Sequence, residues 1–509
     1  MNNQFLPVSQ QEEMPSTERN YSLPLINKRQ NKFYDNSILD KFKKKVSATF
    51  KTSADKRLNS DDDLKEFLLD GNKEDGDEDE AIIFELDHDI LNKYGNKNKH
   101  ERIKKYKRIC LWCIFCCIGL PIGFFLLMTI VYAILFYQPT HIPGSMTMIN
   151  KTNLTVPARV LTFNIFMRPP GVNNNGDDYK DERLQYIIKD ILPNYDIIAF
   201  QEAFAFGNHR IDRLIQEAQQ NYGFDYIMSP RYQLWHFAAD GGLLLLSKYR
   251  IVTSNTLEFP RGIHSDHFAY KGALYGLIEL DATTKTMVHV FTSHLQSSYL
   301  KNGQRSKEDV LVRLEQFSRL HQFIHQTTQD NDNNRNKEND TMDIPVVVMG
   351  DFNIDSAIHT DSITVHSKNS SQAYTMMMDV LIGNGIQSSY FTGDNENNEK
   401  WFVDKDWKLP LMDVVYQTYG YHPITYADYK IDKNSGSIIP AEVALTSHDQ
   451  LLTGQSIDQL LWLPPSPVST KNSSGALLLS NVTIEHFFVA NESFTQLSDH
   501  YGISCLLSV

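Results

Sequence analysis

Twenty-nine consecutive residues, Ile109 to Tyr137, carry no charged side chain. A helix needs about 20 apolar residues to cross a bilayer, so this run predicts a membrane anchor, and everything else in the chain must fold on either side of it. It starts too far from the N-terminus for an ordinary cleaved signal peptide. Arg102, Lys104, Lys105, Lys107 and Arg108 precede it, whereas Lys151 is the only Lys or Arg in the twenty residues that follow. By the positive-inside rule the N-terminus is cytoplasmic and the larger part is lumenal or extracellular. Seven Asn-x-Ser/Thr sequons after the run (Asn150, Asn153, Asn339, Asn369, Asn472, Asn481 and Asn491), against Asn20 before it, favour the same orientation and a glycoprotein. Pro121 and Gly123 leave a second topology open, a re-entrant hairpin with both ends cytoplasmic. Cys110, Cys113, Cys116 and Cys117 lie in or beside apolar sequence without His or Asp, which favours lipid-facing or S-acylated cysteines over a metal pair.

Residues 1–100 are rich in Asn, Lys, Asp, Ser and Glu, and include the acidic patch "DGNKEDGDEDE". Such a composition buries too little apolar surface to offset its ordering entropy, so a disordered polar tail is expected. Residues 1–150 hold 21 basic and 21 acidic residues, so the whole net charge of −13 lies after the apolar run. That is the wrong sign for a domain that neutralises many phosphates along a nucleic acid. Cys505 is the only cysteine beyond residue 117, so stability there rests on a packed core and not on internal disulfides.

From residue 156 onward, "ARVLTFNIF", "YDIIAFQE", "GGLLLLSKY", "ALYGLIEL", "MVHVFTSHL", "IPVVVMGDFN" and "ISCLLSV" read as strands, several apolar enough for burial on both faces. "DERLQYIIKDIL", "NHRIDRLIQEAQQ" and "EDVLVRLEQFSRLHQFIHQ" space their apolar residues three and four apart, as amphipathic helices do. The sum is a mixed α/β domain over 155–509. Polar low-complexity insertions near 327–343 and 388–400 are expected in surface loops.

Several of the apolar strands end in a residue that can bind a metal or move a proton. Asn164 follows "VLTF", Glu202 follows "DIIAFQ", His294 follows "VFTS", Asp351 and Asn353 follow "VVVMG", and Asp499 with His500 precedes "YGISCLLSV". Strands of packed sheets bring such ends to one rim, where sites in sheet proteins lie. Taken in order, "TFNIF", "AFQE", "TSHLQS", "GDFN" and "SDHYGI" resemble the motif series of the Mg-dependent endonuclease/exonuclease/phosphatase superfamily with its deoxyribonuclease-I-like fold, and within it the neutral sphingomyelinases. The resemblance implies a four-layer sandwich of two packed mixed β-sheets flanked by helices.

A phosphodiester hydrolase needs a cation on the phosphate, a base for the attacking water, and donors for the charge that grows on oxygen. The resemblance implies Mg²⁺, with Mn²⁺ as the alternative, bound by Glu202, Asn164 and Asp499. It implies His500 as the general base, suited by an unperturbed pKa of about 6.5. The partner of His500 falls in "SIDQLLWL" at Asp458, although Gln459 stands where the family pattern has an aromatic residue. Asp351 and Asn353 then orient water and phosphate, and His294 donates to the phosphate or the leaving alkoxide. Asp266 and Lys271, in "IHSDHFAYKG", resemble a gating or substrate-orienting pair of the neutral sphingomyelinases; a chance pairing of surface residues is the alternative.

An acidic, membrane-tethered domain favours a lipid phosphodiester, sphingomyelin or a related phosphosphingolipid, and no nucleic acid partner is expected. "PRYQLWHF" and "KWFVDKDW" offer aromatics for a choline cation or the membrane interface, or else for ordinary packing. The alternatives are a deoxyribonuclease or phosphoinositide phosphatase of the same fold, and an inactive membrane-anchored binding protein. Oligomeric state is not legible.

Overall fold

The computed structural model describes residues 101, 103–136, 157–231, 238–298, 300–301, 304–305, 307–335, 344–359, 363–385, 407–465 and 476–509. The polar tail, the insertion at 388–400 and most of the two aromatic stretches lie outside them. The apolar run is helical: the helix Ile103–Val131 contains an 18-residue window of mean hydropathy 2.5 and is long and apolar enough to cross a membrane. Pro121 and Gly123 fall inside helix Leu120–Phe136, and a π-type turn, Phe115–Gly119, precedes it. The four clustered cysteines are exposed.

The remaining elements form an α/β unit. In chain order its first strands are β1 (Ala158–Met167), β2 (Ile197–Ala203), β3 (Asp225–Met228), β4 (Leu244–Ser247), β5 (Arg250–Glu258), β6 (Gly272–Asp281) and β7 (Thr286–His294). They are followed by β8 (Leu300–Lys301), β9 (Gln304–Arg305), β10 (Val346–Asp351), β11 (Met412–Asp413) and β12 (Tyr429–Ile431), then β13 (Ile438–Pro440), β14 (Asp458–Leu463), β15 (Leu478–Glu485) and β16 (Gly502–Ser508). The helices are α1 (Lys180–Tyr186), α2 (Arg210–Tyr222), α3 (Lys307–Arg335), α4 (Gln372–Leu381) and α5 (Val414–Tyr419).

Two six-stranded sheets result, one in the order β15-β16-β1-β2-β4-β3 and the other in the order β11-β14-β10-β7-β6-β5. Each has one parallel pair at its centre, β1 with β2 and β10 with β7, and its other pairs are antiparallel. The pleat sends successive side chains to opposite faces. Val160, Ile197, Ala199, Leu245, Val288, Val290, Val347, Met349 and Leu460 therefore pack between the sheets. Their neighbours Leu161, Phe163, Ile198 and Phe200 meet Leu184, Ile211 and Leu214 of α1 and α2. On the far side, Phe291, Val346 and Val348 meet Leu314, Phe317 and Met377 of α3 and α4. Strands apolar on both faces thus force helices onto both outer surfaces, and the four layers expected from the sequence are present.

α3 continues through Arg335, so the first part of the polar stretch expected as a loop is helical backbone. Composition misleads there because each added residue extends a helix already nucleated by the amphipathic part. Trp407 stacks on His325 at 4.1 Å and packs against the α3/α4 layer, the ordinary-packing alternative for that aromatic stretch. β5 and β15, which carry polar residues on solvated faces, lacked the apolar signal that marked the central strands.

Gly350 is required by the approach of β10 to β7. Its φ is +142°, and a Cβ there would sit 2.1 Å from the Ser293 carbonyl oxygen. Gly350→Ala is expected to lower stability by roughly 3 kcal/mol, read as the midpoint of thermal unfolding. An unchanged midpoint would show that the two strands do not pack this closely.

Candidate active site

The inner faces of both sheets change character along their strands. In β1 the inward series runs Val160, Thr162, Asn164; in β2, Ile197, Ala199, Gln201; in β7, Val288, Val290, Thr292, His294; and in β10, Val347, Met349, Asp351. Apolar residues seal the middle of the sandwich and polar ones reach the same end. Gln201 bridges the sheets at the border, donating from Nε2 to Thr162 Oγ1 and to Thr292 Oγ1, each at 3.1 Å. Strand register does the rest: Asp351 lies opposite both His294 and Asp458, and Asn164 lies opposite Gln201.

Glu202 reaches the site by a different route. It follows inward-facing Gln201, so an unbroken strand would turn it out toward the helices. Its φ of 52° is left-handed, as are those of Phe166 (52°) and Asn353 (51°), and all three residues line the cleft. A non-glycine residue in that region costs about 1–3 kcal/mol and persists where surrounding structure imposes it, commonly at functional sites.

Two cross-sheet hydrogen bonds assemble the centre. Asn164 Nδ2 donates to Asp351 Oδ2 at 2.9 Å and lies 3.4 Å from both Glu202 Oε1 and His500 Nε2. His500 Nδ1 is 2.9 Å from Asp458 Oδ2, which orients the ring. Asn353 donates its backbone N–H to Asp351 Oδ1 (2.9 Å) and its side chain to the Leu295 carbonyl (3.1 Å). Glu202, Asp351, Asn353 and His500 line a cleft of about 360 Å³ together with Arg168, Tyr426, Asp449, Gln450 and Asp499.

Negative charge is in excess here. Burial, together with the Asp458 carboxylate, raises Asp351 to about 7 despite the opposing effect of His500. Burial, reinforced by Glu202, raises Asp499 to about 6. For His500 burial acts downward, but Asp458, Asp351 and Asp499 hold the proton and the net result is a rise to about 10. Among the described residues, Glu202 Oε2 is buried without a hydrogen-bond partner. A hard divalent cation would meet that oxygen and offset the surplus charge. Asp351, Asp458 and His500 also place donor atoms within 4.8 Å of one another. That trio contains the His500–Asp458 hydrogen bond and includes a nitrogen donor, so it is better suited to carrying a proton than to caging an oxygen-seeking ion.

Lys271 and Asp266 are buried behind this centre, off the cleft wall. Lys271 Nζ contacts Asp266 Oδ2 (2.9 Å), His294 Nε2 (3.1 Å), the Leu295 carbonyl (2.7 Å) and Ser297 Oγ (3.2 Å). An ammonium only donates, so His294 accepts at Nε2. Burial first, and Lys271 second, push the His294 pKa down, so its ring is neutral. All ten residues nominated from the sequence thus meet in one network or cleft. Gln201, Thr292, Arg168, Tyr426 and Asp449 belong to the same network or cleft and were not among the residues nominated from the sequence. Gln201 and Thr292 were legible from strand parity, whereas Tyr426 and Asp449 come from two loops without periodic signal, one before β12 and one after β13.

The Endonuclease/Exonuclease/phosphatase family model matches residues 161–411, from β1 to the residue before β11. The chain carries a domain of this hydrolase family. Among similar proteins, a sphingomyelinase of Dictyostelium discoideum is 27% identical over 419 residues, covering 74% of this chain and 84% of its own length. A sphingomyelinase C of Bacillus cereus is 25% identical over 292 residues, 55% of this chain and 76% of that protein. The structure of a Staphylococcus aureus beta toxin variant with bound magnesium ions aligns with 70% of this chain and 100% of its own, at 18% identity and a TM-score of 0.41.

Mg²⁺ at a hundred times its dissociation constant should stabilise the folded protein by about 2.7 kcal/mol. The unfolding midpoint is expected to rise with Mg²⁺ in the wild type, to fall back with a chelator, and to respond weakly in Glu202→Gln. An equal response in both proteins would remove Glu202 from the cation site.

Proposed function

We propose that the protein is a membrane-anchored, Mg²⁺-dependent phosphodiesterase that hydrolyses sphingomyelin or a related phosphosphingolipid to ceramide and phosphocholine. The observation that carries the reading is His500, held by Asp458 across the sheets and facing a cleft that also contains Glu202 and its unpartnered oxygen. Similarity to sphingomyelinases over most of the chain supports the substrate class. Glu202, Asn164 and Asp499 would hold the metal, with Mn²⁺ an alternative occupant. Bound there, the ion would polarise the phosphate and counter the negative charge that now holds the proton on His500.

His500 takes the proton of the attacking water at Nε2 while Asp458 fixes the opposite nitrogen. Asp351, placed by Asn164 and by the Asn353 backbone, orients water and phosphate with Asn353. His294 can donate to the phosphate or the leaving alkoxide only when Lys271 releases Nε2 and that nitrogen has taken up a proton. Lys271 lies between His294 and Asp266, so a shift toward Asp266 would open that role, which is how we read the pair as a gate. The continuous helix through Pro121 and Gly123 supports a single span over a hairpin, and the flanking charges support a cytoplasmic N-terminus. Loss of apparent mass on glycosidase treatment of the full-length protein would support this orientation; absence of glycans from every downstream sequon would favour the cytoplasmic alternative.

Full-length protein with Mg²⁺ should release phosphocholine from sphingomyelin vesicles, and His500→Ala or Asp458→Asn should reduce turnover by about a hundredfold or more. Nicking of plasmid DNA that depends on His500, without phosphocholine release, would overturn the substrate assignment in favour of a nuclease. Lys271→Ala should lower turnover while leaving the unfolding transition cooperative, and unchanged turnover would count against the gate.

A further inference from the structure

Two buried charged side chains have no part in the roles above. Arg183 of α1 is fully buried, and its guanidinium donates to four backbone carbonyls: Nε to Asp178 (2.7 Å), Nη1 to Ile165 and Leu497 (2.8 Å each), and Nη2 to Phe166 (2.7 Å). Glu442 is 4% exposed and accepts at Oε2 from the Thr495 N–H (2.6 Å), the Thr495 hydroxyl (2.6 Å) and the Gln496 N–H (3.1 Å). Its Oε1 takes the N–H groups of Ala444 (2.5 Å) and Leu445 (3.3 Å).

Residues 495–497 lead directly into Ser498, Asp499 and His500. The peptide that delivers the two site residues is therefore gripped by an anion at its amide donors and by a cation at its carbonyl. The grip closes into a ring. Asp178, whose carbonyl receives Arg183, ends a loop in which Asn174 Nδ2 donates to the Leu445 carbonyl (2.7 Å) and Asn175 Nδ2 to the Thr446 carbonyl (2.6 Å). Those residues adjoin the segment capped by Glu442. Burying a guanidinium is costly unless its donors are met, and Arg183 meets that cost with carbonyls from the end of β1 and from the peptide before Asp499. Its backbone partners Ile165 and Phe166 immediately follow Asn164, so one side chain sets the spacing between Asn164 and His500.

We propose that Arg183 and Glu442 are positioning residues of the hydrolytic site. Together they hold 495–497 so that Asp499 and His500 stand at the cleft, without either touching substrate. The activity part of this inference rests on the phosphodiesterase reading; the backbone part does not.

The test uses full-length protein in detergent micelles with Arg183→Lys, Arg183→Met and Glu442→Gln. Hydrogen exchange is followed in peptides covering 494–503 and, as an internal control, β10. Exchange in 494–503 should accelerate by about tenfold or more while β10 stays protected. Phosphocholine release from sphingomyelin should lose about tenfold or more in kcat with KM nearly unchanged, less for Lys than for Met. Folded variants that keep 494–503 protected, or keep wild-type kcat despite faster exchange, would overturn the proposal. A raised KM at constant kcat would also overturn it, by indicating substrate contact, and so would failure of all three variants to fold, which would make both residues determinants of the fold. A wild-type protein inactive on sphingomyelin would refute the substrate reading alone, and the exchange result would then decide the grip.

Discussion

Asn164 sits on one sheet and Asp351 on the other, and the hydrogen bond between them, 2.9 Å long, ties together the two halves of the site. The His500–Asp458 contact crosses the same gap, and Gln201 crosses it one layer deeper. None of these contacts can form unless the apolar middle of the sandwich brings the sheets face to face. Once it does, polar groups at the open end are desolvated together and must satisfy one another, because an unpaired buried polar group costs about 1–3 kcal/mol. The core thus sets the separation, and the separation makes the hydrogen-bond network.

The network is not neutral. Asp351, Asp458 and Asp499 are buried near one another, and Glu202 adds a fourth carboxylate with a buried oxygen that has no hydrogen-bond partner among the described residues. Maximal stability would not place these charges there, nor put Glu202 and Asn353 into left-handed backbone. The same features are expected of a site prepared for a cation and an anionic substrate, where unfavourable charge and backbone strain are held in place by rigid surroundings. Arg183 and Glu442 belong to those surroundings: they satisfy backbone groups around the loop that carries Asp499 and His500.

A zwitterionic lipid headgroup fits an acidic domain better than a polyanion does, since its cationic end is not repelled by the surplus carboxylates. The apolar helix is long and apolar enough to cross a bilayer. Strand ends set the geometry of the site, whereas net charge, the apolar run and similarity to sphingomyelinases bear on the substrate class.

The sequence by itself determined the uncharged run, the alternation of buried strands with amphipathic helices, and the polar residues at strand ends, because each is local and follows the period of the backbone. Asn164, His294, Asp351 and Asp458 could be found that way, since strand parity carries them to the inner face. Glu202 was found by motif, while its aim into the cleft depends on a left-handed φ that parity would have reversed. Only the tertiary structure decided that Lys271 stands behind His294, that Trp407 packs on α3, and that Arg183 and Glu442 hold the peptide before Asp499. Those contacts join residues up to 314 positions apart in the chain, and no local pattern encodes which loop will meet which: that follows from how two sheets and their helices close around a shared core.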